Sequence, residues 1–248
     1  MLLKRKNNYF KAVCTLAFFC VSVFSRDAVH PPKNKIEIKD SIIKFKGSLN
    51  KHSVAKIINA MELNQGSWLE ITSKGGEVIN SLKLANYIYD NKVNLILSDY
   101  CLSSCANYIF PASLIKIIKM DTVLGFHGGP KQVSDINTTD FEEQHKGLKP
   151  EEIEAALLLL KQNFKKHLNE LSKMEDEFYL KIGVSNQLPY YGNNMLSLEV
   201  KKELSSDYWG YYYSIEQLKK FNINNIYINS GLWSPKMLDG KNRFYLIE

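Results

Sequence analysis

Short strand-like runs alternate with helix-like segments along the first half of the chain. The strand-like runs are rich in β-branched and apolar residues, and they cover 36–45, 68–72, 93–97, 115–118 and 122–127. The segments with apolar or small residues at helical spacing cover 54–63, 78–89 and 101–112. This order of elements is typical of α/β proteins with parallel strands and right-handed crossovers. We therefore predict an α/β fold for this half of the chain.

A longer helical pattern follows in the second half. Residues 131–148 are polar and predict a loop, and Pro150 then stands at a helix start, where its missing N–H costs nothing. Apolar residues recur at steps of three or four from Ile153 to Phe178. We predict one helix over about 151–181, roughly 45 Å long, with an apolar stripe too long for one small core to cover. The remaining predicted elements are helices at 194–204 and 214–221, an aromatic segment at 208–213 and a strand at 223–228.

The first 25 residues have the pattern of an export signal. A basic start that ends at Lys11 precedes the apolar run 12–24, which at about 13 residues is shorter than the roughly 20 that a membrane span needs. We predict a signal peptide at 1–25, cleaved after Ser25, and export to the periplasm. An uncleaved anchor is the alternative, because the A-x-A cleavage motif is absent. We expect 26–248 to form a single domain with a helical insertion at about 131–190.

Composition and charge exclude several classes of protein. The chain has 248 residues, of which 45% are hydrophobic and 23% charged, with 13 Gly and 7 Pro, so collagen-like and disordered low-complexity chains are excluded. Four of its 32 basic residues lie in the first 25 positions, which hold no acid, so the rest carries 28 basic and 26 acidic residues. We expect no nucleic-acid partner, and membrane association only if the signal is retained.

Three predicted strand ends carry residues that suit nucleophilic catalysis. The sequence SKGG at 73–76 ends one strand, CLSSCA at 101–106 begins a helix after another, and GFHGG at 125–129 ends a third. The carboxyl ends of parallel strands meet at one edge of a sheet, where sites form. A serine at a helix start lies above the positive end of the helix dipole, a glycine pair lets a backbone N–H approach closely, and a histidine can accept the serine proton.

The order of these motifs resembles that of the ClpP-like serine peptidases of the ClpP/crotonase superfamily. The C-x-S-x-C-A form behind an export signal is similar to the periplasmic ClpP-related proteins, and 214–228 resembles a later family segment. The resemblance implies an α/β fold of the ClpP/crotonase type, a ββα superhelix with a long helical handle. It also implies a serine endopeptidase that acts on peptides or unfolded protein segments without a cofactor.

The resemblance assigns roles to individual residues. Matched to the family motif, Ser103 is the nucleophile and His127 is the general base. The backbone N–H groups of Gly76 and Ser104 form the oxyanion hole.

The chain departs from the family pattern at two places. Lys74 replaces the proline usual in the S-P-G-G turn, which loosens the turn. Counting along the chain puts Gly210 where the family has the aspartate of its triad. Asp207, three residues earlier, is the nearby carboxylate and our candidate for that role, and a site without a third member is the alternative.

Cys101 and Cys105 flank Ser103 and would enter an oxidising compartment after export. Across a helix start, residues four apart have Cα atoms about 6 Å apart, inside the range that a disulfide tolerates. We predict a disulfide that fixes the turn carrying Ser103. Two buried thiols are the alternative.

Other candidate groups are less suited to catalysis. Lys116 and Lys119 could supply the base of a Ser-Lys dyad, but they alternate with isoleucines on a strand, so we expect them to be solvated. The remaining histidines lack metal-ligand spacing, and we predict no metal site.

The sequence leaves three functions open. The first is the serine peptidase, and the second is a catalytically weak or inactive relative that binds extended peptides in the same groove by strand addition. The third is an adaptor whose long helix recruits a partner. We expect the long helix to mediate homo-oligomerisation, as a dimer rather than a closed ring.

Overall fold

A computed structural model of the chain describes residues 34–65, 67–133, 138, 141, 147, 149–196, 208–236, 238 and 244–248. The predicted signal at 1–25, Asp207 and most of the helix predicted over 194–204 lie outside the described residues. The chain divides into two compact units. One contains Pro130–Ser172, and the other contains the described residues of His30–Gly129 and Lys173–Glu248. The expectation of a single domain over 26–248 stays a prediction.

The larger unit is an α/β structure, as predicted. Its helices are α1 (Lys51–Asn64), α2 (Val78–Asp90), α3 (a π-helical turn over Cys105–Ile109 that continues as Phe110–Ala112), α5 (Tyr191–Met195) and α6 (Ile215–Lys220). Its strands are β1 (Lys35–Lys39), β2 (Ile42–Lys46), β3 (Trp68–Ser73), β4 (Asn94–Leu102), β5 (Lys116–Ile118), β6 (Val123–Gly125), β7 (Gly210–Tyr213), β8 (Ile226–Ile228) and β9 (Phe244–Ile247). The helix α4 (Pro150–Ile182) passes through both units.

One mostly parallel sheet organises the larger unit. Its strands follow the order β1-β2-β3-β4-β5-β8, and β6 also pairs with β4. The strands β7 and β9 pair with each other in a separate two-stranded sheet. β4 is nine residues long, and it pairs in parallel with β5 near its start and with β6 over its last three residues. The carboxyl ends of β3, β4 and β6 therefore lie at the same edge of the sheet.

Several predicted boundaries were wrong. The strand predicted over 223–228 begins only at Ile226. The segment 36–45 forms two antiparallel strands, because Asp40 and Ser41 adopt positive φ angles of 51° and 63° and make a two-residue hairpin turn. Cys101 and Leu102 were predicted to begin a helix, but they end β4 because they pair with Leu124 and Gly125 of β6.

The helices of the larger unit form where capping and apolar spacing favour them. Asn50 caps α1 through a reciprocal capping box with Ser53. The helix α2 buries Leu82 and Ile88, whereas Tyr89 near its end is exposed. The limits of α2 lie within one residue of the segment 78–89 that apolar spacing predicts.

The long helix was predicted over about 151–181, and Pro150–Ile182 confirms it. Phe178 and Tyr179, in its last turns, are 2% and 1% exposed in the core of the larger unit. The core of the larger unit therefore covers this end of the helix. That is consistent with the expectation that one small core cannot cover the whole stripe. Among the described residues, we find no helix with the length and hydrophobicity needed to cross a membrane.

Candidate active site

Ser103 lies in a sharp turn between β4 and α3. Its φ of 54° places a non-glycine residue in the left-handed region, which costs roughly 1–2 kcal/mol. The turn is held by its N–H, which donates to Gly125 O at 3.0 Å, and by its carbonyl, which accepts from Asn107 N–H at 2.8 Å. Backbone strain of this kind clusters at functional sites.

The glycine turn at 73–76 packs directly against Ser103. The N–H of Gly75 donates to Ser73 Oγ at 3.0 Å, which closes the turn at the end of β3. Gly75 has a φ of 92°, and a β-carbon added to it would lie 2.9 Å from Ser103 Cβ and 2.7 Å from Leu102 O. Glycine is therefore required here both by conformation and by close approach.

Gly76 and Ser104, the two residues expected to form the oxyanion hole, are brought together. Ser104 Oγ donates to Gly76 O at 2.9 Å. Gly76 pairs with Leu49, whose carbonyl oxygen would lie 2.2 Å from a β-carbon added to Gly76. Ser104 stands at the start of α3, where helix N–H groups lack intrahelical partners.

His127 follows the end of β6, next to the end of β4. Leu102 pairs with Gly125, so Ser103 and His127 both lie just past the ends of neighbouring parallel strands, which run about 4.8 Å apart. Burial lowers the pKa of His127 below its ordinary value of 6.5, because the imidazolium form loses hydration. The neutral imidazole that results is the form that can accept a proton.

The position that the family gives to its aspartate adjoins His127. Phe126 and Tyr211 exchange backbone hydrogen bonds of 2.7 and 2.8 Å, and a β-carbon added to Gly210 would lie 3.2 Å from His127 Cβ. The family position is therefore beside the histidine, but here it carries no side chain. Asp207 lies outside the described residues, and its role stays a prediction.

Lys74, which stands where the ClpP-like motif has proline, is exposed, and its ammonium lies 5.6 Å from the centroid of the Trp209 ring. This distance allows a cation–π contact. The turn is closed without proline by the hydrogen bond between Ser73 and Gly75.

Cys101 and Cys105 are both fully buried on either side of Ser103. Their Sγ atoms lie 2.06 Å apart and their Cα atoms 5.3 Å apart. The pair is thus at a distance compatible with the predicted disulfide.

The expectation that both lysines are solvated is wrong for Lys116. This residue is 4% exposed, donates to Ser113 O at 2.6 Å, and has its pKa lowered to about 8 by burial. It pairs with Leu95, seven positions before Leu102, so it lies about 23 Å along β4 from the Ser103 end. Lys119 pairs with Glu70. Lys116 is therefore too far away to act as the base of a Ser-Lys dyad.

Two asparagines that the sequence motifs do not include hold the His127 segment. Asn107 Nδ2 donates to Gly128 O at 2.9 Å, and Asn193 Nδ2 donates to His127 O at 3.1 Å. The sequence does mark Asn107 as unusual. It is an amide within a predicted helix whose other residues are mostly small, apolar or aromatic. No comparable signal marks Asn193.

Within the described part of the chain, no group of three or more His, Cys, Asp or Glu side chains could hold a metal ion. Comparison with protein-family models gives no match for this chain. Comparison with curated proteins likewise finds none that matches its sequence.

Proposed function

We propose that the protein is an exported serine endopeptidase with a ClpP/crotonase-like fold, in which Ser103 is the nucleophile and His127 the general base. The observation that carries the proposal is the left-handed backbone of Ser103 at the end of β4, packed against Gly75. A serine on a strained strand-to-helix turn is the arrangement of the nucleophile elbow in other hydrolases. Peptides or unfolded protein segments are the proposed substrates.

The proposed reaction follows from these positions. Neutral His127 accepts the proton of the Ser103 hydroxyl as Oγ bonds to the carbonyl carbon of the substrate. The N–H groups of Gly76 and Ser104 stabilise the charge on the carbonyl oxygen. The imidazolium then protonates the leaving amine as the C–N bond breaks, which leaves an ester on Ser103. Water hydrolyses this ester by the same steps, releases the acid and restores the hydroxyl.

Gly210 favours a second candidate function, a catalytically weak or inactive relative that binds extended peptides. In a Ser-His-Asp triad, the carboxylate orients the histidine and stabilises its protonated form, and its loss lowers kcat by about 10⁴. The glycine beside His127 supplies no carboxylate. Under this alternative, peptides occupy the same edge of the sheet without efficient cleavage.

Export is part of the proposal because the predicted signal at 1–25 precedes the catalytic segments. The cysteines that flank Ser103 are at disulfide distance, and such bonds persist in oxidising compartments such as the periplasm. Homo-oligomerisation through α4 completes the proposal.

Labelling by a fluorophosphonate, which reacts with activated serines whatever the substrate specificity, tests the proposal. We expect wild-type protein to be labelled and both Ser103→Ala and His127→Ala to be inert. Ser81→Ala is the matched control, since Ser81 is fully buried in α2 and its hydroxyl has no hydrogen-bond partner among the described residues. Unlabelled wild type, together with binding of an extended peptide, would favour the second candidate. Labelling that survives Ser103→Ala would contradict the assignment.

A further inference from the structure

Asn107 connects the Ser103 turn with the segment that carries His127. Its backbone N–H donates to Ser103 O at 2.8 Å, and its side-chain Nδ2 donates to Gly128 O at 2.9 Å. One residue therefore bonds the proposed nucleophile itself and the neighbour of the proposed base. These two bonds link the residues that follow β4 with those that follow β6.

The side chain of Asn107 carries a cost to folding. The residue is 2% exposed, and its Oδ1 is buried with no hydrogen-bond partner among the described residues. A buried acceptor without a partner destabilises a fold, whereas an apolar side chain at this place would avoid that cost. An asparagine at this position is therefore explained by the hydrogen bond that its Nδ2 donates to Gly128 O, and not by a contribution to stability.

Asn107 is itself held in place from the other side. Its carbonyl accepts from Tyr179 Oη at 2.6 Å, and Tyr179 is 1% exposed on the buried end of α4. Asn107 also lies in the middle of the π-helical turn Cys105–Ile109, and such turns are frequent at functional sites. Because Asn107 is held in this way, it couples the position of the segment after β4 to that of the segment after β6.

We infer that Asn107 is a positioning residue that sets the geometry between Ser103 and His127 for proton transfer. The inference rests on the proposed function. It is distinct from catalysis by Asn107, because the residue acts through its hydrogen bonds to the backbone carbonyls of Ser103 and Gly128. Loss of its Nδ2 would let the His127 segment shift, and small displacements of this kind slow reactions by about 100-fold.

The first test compares Asn107→Ala with Asn94→Ala in the rate of fluorophosphonate labelling. Asn94 is the matched control, because its Oδ1 is also buried without a partner among the described residues, but it starts β4 at the end away from Ser103. We expect Asn107→Ala to lower the maximal labelling rate by about 10- to 100-fold, with the half-saturating probe concentration unchanged, and Asn94→Ala to change neither. A purely structural role would change the melting temperature while leaving the maximal rate as in wild type, and that result would overturn the inference.

The second test does not depend on catalysis. The C–H signals of the imidazole ring are followed by NMR in protein with ¹³C-labelled histidine, and His127 is identified by its loss in His127→Ala. We expect Asn107→Ala to shift the His127 signal and Asn94→Ala to leave it in place. If wild type is never labelled but the signal shifts, the proposed function fails and the positioning role stands. If wild type is labelled and neither rate nor signal changes, the positioning role fails alone.

A milder variant covers the case in which Asn107→Ala does not fold. Tyr179→Phe removes only the hydroxyl that holds the Asn107 carbonyl. We expect it to fold, to lower the maximal labelling rate in the same direction by a smaller factor, and to shift the His127 signal. An unchanged rate and an unchanged signal in this folded variant would overturn the inference.

Discussion

Ser103 and Gly75 both have left-handed backbones, and they lie in contact where β3 and β4 end. Neither residue makes this arrangement alone. Gly75 can adopt its conformation freely and leaves room for the serine turn, whereas Ser103 adopts a conformation that costs energy. The proposed site therefore depends on backbone geometry as much as on the Ser103 hydroxyl and the His127 imidazole.

Replacing Gly75 by alanine tests this dependence. We expect Gly75→Ala to destabilise the protein by at least about 1–2 kcal/mol because of its positive φ, and to lower the labelling rate at least tenfold because the added carbon would displace the Ser103 turn. Denaturant unfolding and labelling measure the two effects. Gly147→Ala is the control, since Gly147 is exposed and an added carbon there meets no atom of the described residues within 4 Å. If Gly75→Ala is labelled at the wild-type rate, the close contact between residue 75 and Ser103 is contradicted.

The lowered pKa of His127 predicts the pH dependence of labelling. The base must be neutral to accept the Ser103 proton, so the rate rises as pH rises through the pKa of His127. Because burial lowers that pKa from 6.5, we expect the half-maximal rate below pH 6.5 and a plateau at neutral pH. Rates measured from pH 4.5 to 8 in folded protein check this. A midpoint above 6.5 would mean that His127 is not the group that titrates.

At the scale of elements, apolar periodicity predicted most of the strands and helices near the site, although it assigned Cys101 and Leu102 to a helix and not to β4. It placed Ser73 at the end of β3 and predicted α4 within one residue at each end. It missed the hairpin at Asp40 and Ser41, because these residues lack the glycine that usually marks such a turn. It also missed β9, because the partner β7 lies more than thirty residues earlier in the chain and pairing across that distance leaves no local signal.

Local sequence likewise predicts some features of the candidate site and misses others. The motifs at 73–76 and 101–106 are local, and the structure brings them into contact. The hydrogen bond from Asn193 to His127 joins residues 66 positions apart, so no local pattern could predict it. The strained φ of Ser103 depends on the pairing of β4 with β6, which the sequence does not display.

The pair Cys101 and Cys105 spans the junction of β4 and α3. We expect purified exported protein to contain no free thiol here, and the double variant Cys101→Ser/Cys105→Ser to lose about 2 kcal/mol of stability, since the loop closed is short. Its labelling rate should also fall, because both cysteines flank Ser103. Mass spectrometry after alkylation without reductant, denaturant unfolding and labelling measure these effects. Two alkylated cysteines in exported wild type would contradict the disulfide.

At the scale of the whole molecule, α4 contributes residues to both compact units. In the smaller unit, Leu158 and Leu159 are 59% and 49% exposed on this helix. Adjacent exposed leucines favour contact with another apolar surface. A second copy of this chain is the proposed partner, as the family resemblance implies.

Light scattering on the mature protein tests this association. We expect wild type to be a dimer at micromolar concentration and Leu158→Ser/Leu159→Ser to be monomeric with an unchanged melting temperature, because both side chains are exposed. Leu63→Ser, at a leucine on α1 that is more exposed still, should remain dimeric. A monomeric wild type, or a dimer that the double variant leaves intact, would contradict the role of α4.

The position of the covalent adduct tests the central claim most directly. Wild-type protein is reacted with a fluorophosphonate, digested, and the modified peptide is sequenced by mass spectrometry. The account predicts one adduct per chain on Ser103, with neighbouring Ser104 unmodified, since Ser104 Oγ is engaged with Gly76 O. An adduct on Ser104 or on any other serine, or no adduct on folded protein, would contradict the claim that Ser103 is the nucleophile.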